Sequence, residues 1–183
     1  MSANVSHTRD WAVLRSAAQE MQAYLLSDQW AWPVRGDVRL TPGTWLLSCR
    51  RLQVLTDALA AERDELIAMA QRERTRWAAA WRKKVAEDAE KRLRLWRSYV
   101  LEMVTEVRPS QAEYAAQVQQ RVMLALLDEE DGLDLRLQHL CVELDDLLHG
   151  RGRAGDFVWP AVYAVQFDRQ QFWYLYYSVK VDE

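Results

Sequence analysis

Residues 72–97 read RERTRWAAAWRKKVAEDAEKRLRLWR, with ten Lys and Arg, four acids, three Trp, and neither Gly nor Pro. The stretch is either a cationic grip for nucleic acid or one wall of a helical hairpin. Which it is decides the fold.

Arg and Lys neutralise phosphates, and Trp stacks on unpaired bases. The segment carries ten bases and four acids, a net +6. On a helix, Arg72, Arg76, Lys83, Arg94 and Arg97 fall broadly on one face, with Lys84 beside them, so a phosphate track is physically possible. Against this stand Glu87–Lys91, Asp88–Arg92 and Glu90–Arg94, all i, i+4 pairs in the acid-first order that supports an exposed helix. Trp77 and Trp81 lie one turn apart and can face a partner helix.

The flanks favour the wall. Thr41 and Pro42 form a helix start, with Thr as N-cap and Pro where its missing N–H costs nothing. No Pro or Gly follows from Thr44 to Arg108, which predicts one helix over 42–107, on the order of 90 Å long. Trp45, Leu52, Leu59 and Leu66 recur every seven residues. Ala89, Leu93, Trp96, Val100, Met103 and Val107 alternate by four and three. Between them, residues 71–76 carry no apolar side chain, which predicts a phase shift or bend there.

Pro109 ends this helix, and Ser110 with Glu113 starts the next as a capping box. A helix over 111–149 follows, with Leu133, Leu137, Leu140, Leu144 and Leu147 as its later seam, Gly132 as a weak point and Gly150 as the C-terminal stop. Residues 111–149 hold nine acids and two bases, a net −7. Antiparallel pairing after Pro109 sets Trp77 against Leu140 and Trp81 near Leu137, with the acidic run 128–134 facing 83–89. Charge and apolar seam then match together, as in antiparallel coiled coils. The wall reading takes precedence, with nucleic-acid binding as the alternative.

At the N-terminal side, Thr8 caps a helix over 8–26 carrying Trp11, Leu14, Ala18, Met21 and Leu25. A connector with Pro33 and Gly36 follows, pinned by Trp30 and Trp32. At the C-terminal side, VWPAVYAVQF and FWYLYYSVKV are separated by DRQQ and read as a β-hairpin, with a short aromatic helix as the rival reading. Trp173, Tyr174, Tyr176 and Tyr177 are the candidate partner interface, because Tyr and Trp enrich at contacts. Packing on the protein's own helices comes first, since a lone hairpin is not stable in water.

Other signals are weaker. Gly150-Arg-Gly-Arg-Ala-Gly155 matches a dinucleotide pattern but follows a helix and leads toward a strand, the reverse of what that motif needs. Its two arginines remain able to meet an anion. His139, Glu143 and Asp146 lie near one helical face with His149 following, but no second ligand cluster accompanies them, so no metal site is expected. Cys49 and Cys141 are unpaired by spacing, and the default compartment is reducing. The chain has 183 residues, 28% of them charged, and a net charge of −3, which disfavours a dedicated nucleic-acid binder. Arg35-Gly36-Asp37 and Asn4-Val5-Ser6 lack the secretion signal that would give them meaning. No membrane span is legible.

Together these features predict a mainly α-helical protein: a helical bundle or long coiled-coil-like hairpin over 1–156, with an aromatic β-hairpin over 157–183 packed on it. They predict a cytoplasmic, non-enzymatic assembly or protein-interaction subunit, oligomeric or bound to a protein partner. Neither a cofactor nor a small-molecule substrate is evident.

Overall fold

The computed structural model describes residues 2–105 and 109–179, with side chains from residue 7 onward. The protein is mainly helical with a small C-terminal two-stranded antiparallel sheet. It forms two compact units, one up to Asp88 and one from Ala89 on.

In the first unit, α1 (Ser2–Leu26) is followed by the short strands β1 (Trp32–Pro33) and β2 (Arg39–Leu40), then α2 (Pro42–Leu52) and α3 (Asp57–Arg76). The helix expected over 8–26 begins six residues earlier, at Ser2. Nothing in residues 3–7 breaks a helix, so Thr8 sits inside it. Leu14, Ala17, Met21, Tyr24 and Leu25 are buried, and α1 packs along α3 and α2.

Thr41 caps α2 as expected. Its hydroxyl accepts from Thr44 N–H at 3.3 Å, and the Thr44 hydroxyl accepts from Thr41 N–H at 2.8 Å. The single helix over 42–107 is not formed. The chain leaves helical geometry at residues 53–56, and Asp57 adopts a φ of 55°. No Gly or Pro marks this corner. It is held instead by Arg63, whose guanidinium donates to the carbonyls of Leu52 at 3.0 Å and Leu55 at 3.4 Å. A cation thus meets the exposed C-terminal end of α2, where it is favoured. Leu59 is consequently half exposed, and the seven-residue repeat stops contributing core at Leu52. Because α3 lies along α1, this part of the expected hairpin wall is paired with the N-terminal helix.

The bend expected near 71–76 is present one residue later. Trp77 (φ −110°, ψ 39°) separates α3 from α4 (Ala78–Thr105). The end expected at 107 lies outside the described residues.

In the second unit, Ala89, Leu93, Trp96, Val100 and Met103 of α4 are all buried, as the four-three rhythm requires. The helix expected over 111–149 is divided into α5 (Gln111–Gln117), α6 (Gln119–Asp131) and α7 (Leu135–His149). Ser110 Oγ accepts from Glu113 N–H at 3.2 Å. Gly132 stops α6 with a φ of 74°, a conformation that Gly alone adopts cheaply. Asp134 then caps α7, accepting from Leu137 N–H at 2.9 Å. The buried row of α7 is Leu137, Cys141, Leu144 and Leu148, so Leu140 and Leu147 give way to Cys141 and Leu148.

The aromatic C-terminus is not the expected β-hairpin. Residues Ala161–Gln166 and Trp173–Tyr176 form 3-10 helices, closer to the rival reading. Among the described residues of this segment the one strand is β4 (Tyr177–Val179), and it pairs antiparallel with β3 (Gly152–Ala154), directly after α7; residues 180–183 of the expected hairpin lie outside the described residues. The strand partner therefore comes from the glycine-rich loop. Pro160 lacks an N–H to give a sheet, and the Asp168 carboxylate accepts from Gln170 and Gln171 N–H in the intervening turn. The segment is stitched to α5: Gln111 Nε2 donates to Tyr177 O (2.9 Å), Tyr114 Oη to Tyr174 O (2.7 Å), and Trp159 Nε1 to Ala115 O (2.8 Å).

Candidate functional site

The basic stretch divides by role. Arg72, Arg76 and Lys83 are exposed in the first unit, and Arg94 and Arg97 in the second. Lys84 is 3% exposed and is no phosphate ligand in this fold. Its Nζ donates to the carbonyls of Ser27 (2.9 Å) and Gln29 at the end of α1, and it lies 5.0 Å from the Tyr24 ring centroid.

One turn on, buried Asp88 does the converse at the start of α2. It accepts from Gly43 N–H at 2.7 Å, Thr41 Oγ1 at 2.9 Å and Trp30 Nε1 at 3.2 Å. Lys84 and Asp88 therefore place a cation at one helix C-terminus and an anion at another N-terminus, both favourable against the helix dipole. Charges that read as a solvated ladder are in part internal fasteners.

The tryptophans are likewise engaged within the protein. Trp81 meets Trp45 edge-on at 5.4 Å, and the Arg74 guanidinium lies 4.6 Å from the Trp81 ring centroid.

Of the four aromatic residues proposed for a partner, Tyr174 and Tyr177 are buried at 0% and 3% exposure. Arg121 stacks 4.8 Å from the Tyr174 centroid while making a bidentate pair with Asp145 at 2.9 and 2.8 Å. Trp173 and Tyr176 are half-buried and line a cleft of about 300 Å³ together with His149, Gly152, Arg153, Ala154, Arg169 and Tyr177.

The cleft lies in the second unit. His149 stacks on Trp173 with centroids 3.7 Å apart, and its Nδ1 lies 2.9 Å from Asp145 O. Donation from Nδ1 to that carbonyl leaves Nε2 available. Tyr177 Oη donates to Leu148 O at 2.6 Å, closing the C-terminal end of α7. Burial pushes that phenol up to about 12, so it stays protonated and donating. Gly150 closes α7 as its C-cap, with a right-handed φ of −70°.

The other glycines of the loop are there for contact. A Cβ on Gly152 would lie 2.1 Å from Tyr177 Cζ and 2.5 Å from the Ser178 carbonyl oxygen. The G-x-G-x-x-G pattern thus reflects close packing of β3 under β4. Arg153 stands opposite Ser178 in the strand pair, and the Arg169 guanidinium lies 5.2 Å from the Tyr176 centroid. Arg153 was singled out in the sequence as able to meet an anion. Arg169, in the DRQQ turn, was not: its place depends on the fold of two 3-10 helices.

His139, Glu143 and Asp146 are exposed, and no group of three His, Cys, Asp or Glu among the described residues could hold a metal. No helix among them is long and apolar enough to cross a membrane. Comparison of the chain with protein-family models, curated proteins and solved structures yields no match.

Proposed function

We propose that this protein is a non-enzymatic interaction subunit that assembles with further copies of itself through its second unit. The supporting observation is where large apolar side chains meet solvent. Among the described residues, seven of the nine exposed ones lie beyond Asp88. Leu135 and Val142 are 72% and 58% exposed on α7 and lie two turns apart, hence on one face. Val162 and Val165 are 48% and 81% exposed and sit three apart in a 3-10 helix, where such residues align. Where exposed apolar side chains form a contiguous patch, they mark contacts between proteins.

Sedimentation velocity over a concentration series tests the proposal. A mass that grows with concentration, and returns to the monomer value in Leu135→Glu/Val142→Glu or in Val162→Asp/Val165→Asp, is the expected result. A monomer at every concentration overturns it.

A second reading is an accessory nucleic-acid-binding role, favoured by the exposure of Arg72, Arg76, Lys83, Arg94 and Arg97. It calls for anisotropy titrations with single- and double-stranded DNA and RNA. Binding must fall steeply with salt and weaken in Arg94→Glu/Arg97→Glu. Binding that ignores these substitutions removes this helix face.

A further inference from the structure

We propose that the cleft between the β3–β4 pair and the second 3-10 helix binds a small aromatic anion: one planar ring bearing a phosphate or carboxylate. The polar side of the site is cationic. Arg153 and Arg169 are both exposed, and no carboxylate among the described residues pairs with either guanidinium.

The rest of the lining is largely aromatic. Trp173, Tyr176 and Tyr177 supply the rings, and the tyrosine hydroxyls are already engaged. Tyr177 Oη donates to Leu148 O, and Tyr176 Oη to Phe167 O at 3.0 Å and Ala164 O at 3.3 Å. With Tyr177 only 3% exposed, the half-buried Trp173 and Tyr176 rings are what offer a ligand apolar surface, while charge recognition is left to the arginines. A volume of about 300 Å³ lies at the lower end of the roughly 300–1,000 Å³ typical of small-ligand sites. That suits a single ring with one anionic group better than a dinucleotide.

The walls are also preorganised. Gly152 allows the Tyr177 ring to sit directly on β3, and the His149–Trp173 stack fixes the end of α7 against the 3-10 helix. These walls have little conformational freedom to lose on binding, and the ordering cost falls on the two arginines.

Isothermal titration of the full chain with phenyl phosphate, benzoate, inorganic phosphate and phenol tests both halves of the proposal. Phenyl phosphate or benzoate should bind at least tenfold more tightly than inorganic phosphate and than phenol. Arg153→Ala and Arg169→Ala should each weaken binding about tenfold, and the pair about a hundredfold. Both arginines are surface residues, and an unchanged circular dichroism melt confirms that the variants are folded. Preference for phenyl phosphate assigns the anion as a phosphate ester, and preference for benzoate as a carboxylate. Equal affinity for phenyl phosphate, benzoate and inorganic phosphate, affinity unchanged in the double variant, or no heat at millimolar ligand each overturns the proposal. The outcome does not depend on self-association.

Discussion

At the scale of single residues, burial sets the chemistry. Asp10 on α1 is 5% exposed, with its carboxylate 3.0 Å from Ser48 Oγ and 3.9 Å from an Arg51 nitrogen. Burial raises its pKa from 3.8 to about 6, against the opposing pull of Arg51 and the Ser48 hydrogen bond. A raised carboxyl pKa means that the folded state holds the proton more tightly than the unfolded one. Its stabilising contribution is complete below pH 3.8 and is lost as pH rises through about 6. Asp10→Asn should therefore stabilise the protein by about 1–3 kcal/mol at neutral pH, with the gain vanishing near pH 4. Urea melts at the two pH values measure this.

Tyr174 offers a second contrast. Its hydroxyl is buried without a hydrogen-bond partner, whereas the Tyr114 hydroxyl is satisfied by Tyr174 O. Tyr174→Phe should stabilise by about 1 kcal/mol, and Tyr114→Phe should destabilise by about 1–2 kcal/mol, because a buried polar group without a partner is costly. Thermal melts of the two variants decide the sign.

At the scale of elements, ends matter more than interiors. Asp88 accepts from Trp30, Thr41 and Gly43 at the start of α2. Asp88→Ala should cost about 2–4 kcal/mol, and Asp88→Asn less, since an amide oxygen still accepts. Denaturant midpoints report the difference.

The glycines separate steric from conformational cost. Gly132 pairs a φ of 74° with a ψ of 136°, outside the left-handed helical well, so Gly132→Ala should cost about 1–3 kcal/mol of backbone strain although nothing lies within 4 Å of a Cβ. Gly152 has no unusual φ but faces the Tyr177 ring and the Ser178 backbone. Gly152→Ala should cost about 1–3 kcal/mol through overpacking and also loosen the cleft. Hydrogen exchange should show lost protection at Tyr177–Val179 for Gly152→Ala and not for Gly132→Ala.

At the scale of the whole molecule, the two proposed surfaces differ in physical character. Association through leucines and valines should be insensitive to salt or strengthened by it, whereas binding through Arg94 and Arg97 should weaken. Sedimentation at low and high salt separates the two.

The helical class, the Thr41 start, the buried row from Ala89 to Met103 and the break at Gly132 were legible in the sequence. Each rests on nearest-neighbour chemistry: a cap, a 3.6-residue period, or a residue that tolerates positive φ. The corner at residues 53–56 was not legible, because no local residue forces it. Arg63, eleven residues after Leu52, satisfies the carbonyls there. The same holds for Lys84 and Asp88. Their i, i+4 spacing is visible, but burial at the ends of α1 and α2 follows from how the helices stack. Tertiary structure also turned two aromatic runs into 3-10 helices and gave β4 a strand partner from the glycine loop. A sheet needs a partner, and which chain segment supplies it is a long-range choice that no local propensity encodes.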